Sequence, residues 1–216
     1  PKDIVSGDFY SFAQKNDRVI IAASDCTGHG VTGAFMSMIG TSLLNQIINE
    51  NGVTQPAEIL TDLNAGIVEA LKQSEGENEV HDGMDIALCS IDLVNTKLIY
   101  AGANRPLWVF KNGEMSLVKP TKSAIGGYQS SRTEVFTQHE IQLSKGDTIY
   151  LFTDGYADQF GGPEGKKMLS KRFREMLKEI QNLPMNEQEK YLLKAFNDWK
   201  GNVGQVDDVL VIGVRL

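Results

Sequence analysis

The chain has 216 residues, of which 41% are hydrophobic and 23% charged, enough apolar content for one sizeable core and too little length for two independent ones. Its formal net charge of −7 opposes attraction to nucleic-acid phosphates and to anionic membranes, so neither a nucleic-acid partner nor direct membrane contact is expected. Two widely spaced cysteines, Cys26 and Cys89, do not make a disulfide framework and favour a reducing, cytoplasmic setting. The opening "PKDIVSGDFY" has neither the basic start nor the apolar stretch of a signal peptide, and no run of eighteen apolar residues suggests a membrane span. With no initiator Met and a motif close to the start, the expectation is a single domain belonging to a longer protein, with a sensor or regulatory region upstream.

In chain order, "RVIIAAS" (18–24) reads as a buried strand that ends at Asp25. Gly28, Gly30 and Gly33 punctuate a loop, and from Ala34 to about Asn49 apolar residues recur at helical spacing (Phe35, Ile39, Leu43, Ile47). Pro56 suits the first turn of a second helix running through Ile59, Leu63, Ile67 and Leu71. The polar stretch "SEGENEVHDG" follows as a loop. "MDIALCSID", "KLIYAGA", "PLWVF" and "EMSLV" are strand-like, the last two joined by Asn112-Gly113, a strong hairpin signal, so a meander of antiparallel strands is predicted. "TIYLFT" (148–153) is a further strand ending at Asp154-Gly155. A Gly/Pro-rich loop (161–165), helices over about 166–180 and 186–199, and a last strand "VLVIGV" complete the chain. The order of elements predicts an α+β layout with segregated helices rather than the strict alternation of a doubly wound parallel sheet.

Four acidic sites share one context, each at or beside the end of a predicted strand: Asp8 in "SGDFY", Asp25 in "SDCTGHG", Asp154 in "FTDGY" and Asp207-Asp208 in "QVDDVL". Singly each has a plain explanation, since Asp-Gly is a common turn pair and an acidic pair before a strand is often only solvated. Together they would converge on one sheet edge, and clustered carboxylates repel unless cations lie between them. Oxygen ligands without a matching His or Cys set favour Mg²⁺ or Mn²⁺ over Zn²⁺.

Three rival readings of this loop fit less well. The glycines at 28, 30 and 33 match neither the phosphate-binding G-x-x-x-x-G-K-[ST] pattern nor a dinucleotide fingerprint in its usual setting. A Cys26 thiolate nucleophile needs an arginine to clamp phosphate, and none follows until Arg105. A calcium-stabilised structural domain lacks its D-x-[DN]-x-[DN]-G loop. His29 serves equally as a proton donor or as a structural loop residue, and His81 and His139 show no partner pattern.

The segments "SGDFY", "DCTGHGVTGAFMSMIG", "FTDGYADQ" and "VDDVLVIGV", in this order and from about Val5 to Leu216, resemble the metal-dependent Ser/Thr protein phosphatases of the PPM (type 2C) family, in the bacterial branch of the stage II sporulation protein E. The resemblance implies an α-β-β-α sandwich, two packed mainly antiparallel sheets flanked by helices. It also implies a centre of two Mn²⁺ or Mg²⁺ ions, with a water between them as the nucleophile. By motif position Asp25 bridges both ions, Asp8 and the backbone carbonyl of Cys26 complete one, and Asp154 and Asp207 hold the other. Asp208 and His29 are candidates for the surrounding shell, and Asp85 in "DGMDIALC" is, like Asp208, a candidate shell residue or extra ligand without an assigned role. Ser6-Gly7-Asp8 stands where the family often has Gly-Gly-Asp, and no phosphate-clamping arginine lies beside the motifs, so grip on the substrate falls to the metals.

The function so implied is hydrolysis of phosphoserine or phosphothreonine in a protein in bacterial signalling, by analogy an antagonist of an anti-sigma factor. A homodimer is compatible with it. The alternative is a regulatory module of the same fold, silent or active only under the control of an upstream segment.

Overall fold

In the computed structural model, which describes residues 1–73, 82–127 and 134–216, the elements run β1 (Phe9–Lys15), β2 (Arg18–Cys26), α1 (Gly30–Asn45), a π-helical turn (Gln46–Glu50), α2 (Pro56–Ala70), β3 (Gly83–Asp92), β4 (Lys97–Ala103), β5 (Leu107–Lys111), β6 (Glu114–Val118) and β7 (Ile125–Gly126). They continue with β8 (Gln138–Gln142), β9 (Thr148–Phe152), α3 (Gly155–Asp158), β10 (Phe160–Gly161), β11 (Lys166–Lys167), α4 (Leu169–Glu179), α5 (Met185–Lys200) and β12 (Val211–Arg215). Most of the polar stretch after α2, residues 74–81 with His81 among them, lies outside the described residues.

The strands form two main sheets. One has the order β1-β2-β3-β4-β8 with β7 on β3, the other β12-β9-β5-β6, and every strand pair in them is antiparallel. The predicted meander is therefore divided: β3 and β4 pair in the first sheet, whereas the β5–β6 hairpin belongs to the second. Local periodicity identifies strands but carries no information on which sheet each joins. The hairpin turn itself is as predicted, with Asn112 and Gly113 both at positive φ (51° and 79°).

Side-chain alternation sorts the apolar residues into three layers of core. On β2, Ile20, Ala22 and Cys26 face α1 and α2 together with Met84, Ile86 and Leu88 of β3. Ile21 and Ala23 point the other way, joining Ala87, Cys89 and Ile91 of β3 and Ile149 and Leu151 of β9 between the two sheets. The next residues of β9, Tyr150 and Phe152, turn outward again and meet Phe173 and Leu177 of α4 and Leu192 and Phe196 of α5. Helices, sheet, sheet, helices is the α-β-β-α sandwich expected from the family resemblance.

Several elements differ from the predicted ones, the last strand beginning at Val211 rather than Val209. The first helix begins at Gly30 rather than Ala34, because the glycine loop is tighter than its composition suggests. The stretch expected to be helical from 166 starts with the short strand β11, paired with β10, before α4. β8 (QHEIQ), half-exposed at the sheet edge, has too few apolar residues to register as a strand. The helical stretch Gly30–Glu50 is, by length and composition alone, apolar enough to cross a membrane. Here it is a layer helix, with Met36 and Leu44 in the core and Gly40 against Phe9 and Met84.

Candidate active site

Sheet register sets the site. Asp25 is the last residue but one of β2 and lies directly across from Asp85 on β3. Asp8 immediately precedes β1, whose first residue, Phe9, pairs with Ser24. In the opposite sheet Asp154 follows Thr153 at the end of β9, and β12, which pairs with β9, is preceded by Asp207 and Asp208. Four segments, far apart in sequence, thus meet at one end of the sandwich.

Polar contacts stitch these segments together. The Thr153 hydroxyl donates to Asp8 Oδ2 at 2.6 Å, linking the two sheets, and Thr153 N–H donates to the Leu210 carbonyl at 3.0 Å. Asp208, 2% exposed, accepts the backbone N–H groups of Gly7 (2.7 Å) and Lys2 (2.6 Å), so the turn carrying Asp8 hangs from the C-terminal loop. Charge-assisted bonds of this kind contribute about 1.5–3 kcal/mol each. Two close approaches complete the frame. A Cβ on Gly33 would fall 2.6 Å from the Gly28 carbonyl and 2.8 Å from the Gly7 Cα, and one on Gly155 would fall 1.9 Å from the Asp208 carbonyl. The glycines of the loop after β2 therefore bring backbones together rather than cradle a nucleotide.

Asp25, Cys26, His29, Asp154 and Asp207 line one cavity of about 300 Å³, together with Asp85 and Arg105. Asp8 is not part of this lining but lies close enough for its charge to act on Asp25. The Asp8 carboxyl is pushed up to about 7, first by burial and then by the charges of Asp208, Asp207 and Asp154, against the Thr153 hydrogen bond. Asp25 is pushed up to about 8, again mainly by burial, with Asp8, Asp154 and Asp207 adding to the effect and Arg105 opposing it. Asp85 is raised by burial, against its hydrogen bond from Asn104 (2.8 Å) and the charge of Arg105. Half-buried carboxyls pushed toward protonation by desolvation first and by one another second mark a place built for added positive charge.

Arg105 was missed by sequence reasoning, which found no arginine beside the motifs. The segment between β4 and β5 carries it into the cavity, where Nη2 donates to Asp25 Oδ2 (2.7 Å) and Asp154 Oδ2 (2.8 Å) and lies 3.4 Å from Asp85 Oδ2. Burial works against its charge, but Asp25, Asp154 and Asp85 outweigh it and raise its pKa. Arg105 is eighty residues from Asp25, and the only sequence signal for it is a polar Asn-Arg-Pro break between two buried strands.

An arginine in the cavity does not revive the thiolate reading. The Cys26 side chain packs into the core beneath α1, and burial, with Asp25, Asp8 and Asp208, raises its pKa far above neutrality. His29, at the start of α1, contacts Asp3 (2.9 Å), the partner it finds on the rim.

Among the described residues no three His, Cys, Asp or Glu side chains are drawn close enough to hold an ion together. The Arg105 nitrogen stands between two of the expected ligands, at distances longer than the 2.0–2.1 Å of a Mg²⁺–oxygen bond. The donor set nevertheless fits a hard divalent cation: it is all oxygen, partly buried and short of positive charge. A larger apolar groove, about 1180 Å³, runs along β12 and α5 between Phe12, Leu193 and Ile212, but it has no comparable cluster of carboxylates.

Comparison with known proteins agrees with this geometry. A family model described as stage II sporulation protein E (SpoIIE) matches residues 15–216. The phosphoserine phosphatase RsbU of Bacillus subtilis (strain 168) is 27% identical over 164 residues, which cover 73% of this chain and 44% of RsbU, so the chain spans less than half of that relative. The solved SiaA-PP2C domain of Pseudomonas aeruginosa is 31% identical with a TM-score of 0.89, over 100% of this chain and 83% of that one. RsbX, solved in complex with magnesium, is 18% identical and shares the fold, with a TM-score of 0.63 over 97% of this chain and 86% of RsbX. With the sandwich, the converging acidic segments and a family match over nearly its whole length, the chain belongs to the stage II sporulation protein E family of PP2C-type serine/threonine phosphatases.

Proposed function

We propose that this chain hydrolyses phosphoserine and phosphothreonine in a protein substrate, using two Mn²⁺ or Mg²⁺ ions held by Asp8, Asp25, Asp154, Asp207 and the Cys26 backbone carbonyl. The observation that carries this reading is the convergence of half-buried acidic side chains at one solvent-reaching cavity, lined by Asp25, Asp154 and Asp207, with Asp25 pushed up to about 8 and the adjoining Asp8 to about 7. Divalent ions, when bound, supply Lewis-acid charge for the phosphoryl oxygens and lower the pKa of the attacking water.

The chain's own residues have distinct tasks. Asp25 and Asp154 approach the cavity from opposite sheets, so together they would hold a divalent ion from both halves of the sandwich. Thr153 orients Asp8, and Asp208 holds the turn that presents it. Cys26 takes part through its main chain, its thiol being packed away in the core. A cavity of about 300 Å³ admits a phosphorylated side chain and leaves the rest of the substrate protein on the surface.

By analogy with the family that the motifs resemble, the substrate in the cell is a phosphorylated antagonist of an anti-sigma factor, and an upstream regulatory domain sets activity in a cytoplasmic protein. Phosphate release from phosphoserine and phosphothreonine proteins, measured with Mn²⁺ and with chelator, tests the reading. Turnover that survives complete removal of divalent ions contradicts it.

A further inference from the structure

We propose that Arg105 is an exchangeable counter-cation, competing with divalent ions for Asp25 and Asp154 and leaving the carboxylates when a metal is bound. The inference rests on the metal-centre reading above and adds a role for a residue outside the ligand set.

One guanidinium nitrogen, Nη2, serves Asp25 at 2.7 Å and Asp154 at 2.8 Å, with Asp85 at 3.4 Å. A Mg²⁺ ion at the place of Nη2 would need both oxygens at about 2.0–2.1 Å, so the carboxylates would have to close in by more than half an ångström per side. The nitrogen occupies the space into which they would close. Like charges 3–4 Å apart in a partly buried site also repel strongly, so guanidinium and metal are alternative occupants.

Arg105 carries one positive charge against three carboxylates, which leaves the cluster negative and still attractive to a divalent ion. Its own pose is incomplete, because the buried Nε has no hydrogen-bond partner, so the guanidinium gives up only part of its bonding capacity on leaving. The main chain stays fixed during the exchange: Tyr100 Oη donates to the Arg105 carbonyl at 2.5 Å, Arg105 N–H donates to the Ala103 carbonyl at 2.6 Å, and Pro106 restrains the next φ. Movement is confined to the side-chain torsions, which can carry the guanidinium toward the open mouth of the cavity.

Mn²⁺ titration by calorimetry, with thermal melts in chelator and in Mn²⁺, on wild type, R105Q and D25N tests the exchange. Removing the competitor is expected to tighten Mn²⁺ binding about 10-fold, a typical scale for the loss of one opposing charge. R105Q should melt below wild type in chelator, where the acidic cluster has lost its counter-charge, and at or above wild type in Mn²⁺. A purely structural arginine would lower the melting temperature under both conditions. Equal or weaker Mn²⁺ binding by R105Q overturns the proposal. If R105Q does not fold, R105M, which keeps the aliphatic stem without the charge, should bind Mn²⁺ tighter than wild type, and equal or weaker binding again overturns it. A D25N protein that binds Mn²⁺ as tightly as wild type contradicts the metal-centre reading and takes the exchange with it, whereas D25N-sensitive binding with no effect of R105Q removes the exchange alone.

Discussion

Stripping divalent ions should make the stability of this protein fall as pH rises, and Mn²⁺ should cancel the fall. Burial pushes Asp8 and Asp25 up to about 7 and about 8 in the folded protein, against 3.8 for a free side-chain carboxyl. A group whose pKa is raised on folding binds its proton more tightly in the native state, so it contributes stability that is complete below about 4. That stability is lost progressively as pH climbs through 7 to 8. Because the two carboxyls interact, they titrate as a pair, and one extra proton held by the native state over pH 5–7 is a reasonable net figure. That proton gives a slope of about −1.4 kcal/mol per pH unit, or about 3 kcal/mol over the interval, a large share of a typical total of 5–15 kcal/mol. Mn²⁺ displaces the protons, so the stabilisation it confers should grow with pH over the same range. Urea denaturation at pH 5, 6, 7 and 8, in chelator and in Mn²⁺, measures both curves, and Asp25→Asn should flatten the chelator curve by removing one of the two titrating groups. Stability in chelator that is flat or rising from pH 5 to 7 would refute the electrostatic picture of the site.

Two substitutions probe the frame around the carboxylates. Cys26→Ser should leave Mn²⁺-dependent turnover within about 3-fold and cost about 1–2 kcal/mol in urea melts, because a hydroxyl replaces a thiol in the core under α1. A loss of 100-fold or more with Mn²⁺ binding intact would bring back the thiolate. Gly155→Ala places a Cβ 1.9 Å from the Asp208 carbonyl, so the turn after Asp154 must move away from the C-terminal loop. A stability loss of about 1–3 kcal/mol is expected, together with Mn²⁺ binding weakened about 10-fold by calorimetry. Unchanged metal affinity would show that the approach of these two segments does not set the site.

Much of this fold is written locally. β2 and β9 are legible because both faces of each strand are buried, which leaves continuous apolar runs ending at Asp25 and Asp154. Pro56 marks the first turn of α2, and Asn112-Gly113 marks a hairpin, because each residue restricts or permits backbone angles regardless of what packs around it. The assignment of strands to two sheets was not legible, since β3, β4 and β5 have the same apolar character whether they pair within a sheet or pack across the sandwich. At the site, Asp8, Asp25, Asp154 and Asp207 stood out through their shared position at strand ends. Asp85 became meaningful only through its register with Asp25, and Arg105 only through the path of the chain between β4 and β5. An ion pair across eighty residues leaves no local pattern to read.

In the proposed mechanism, half-buried carboxylates at the end of the sandwich hold the divalent ions on which phosphate hydrolysis depends. Phosphate release from a phosphothreonine peptide, by wild type and Asp25→Asn, each in Mn²⁺ and in chelator, tests it most directly. Turnover is expected from wild type in Mn²⁺ alone, with a loss of at least about 100-fold in the folded Asp25→Asn protein, in line with the several kcal/mol that metal charge contributes to such a transition state. Full activity of Asp25→Asn, or wild-type turnover that persists in chelator, would contradict it.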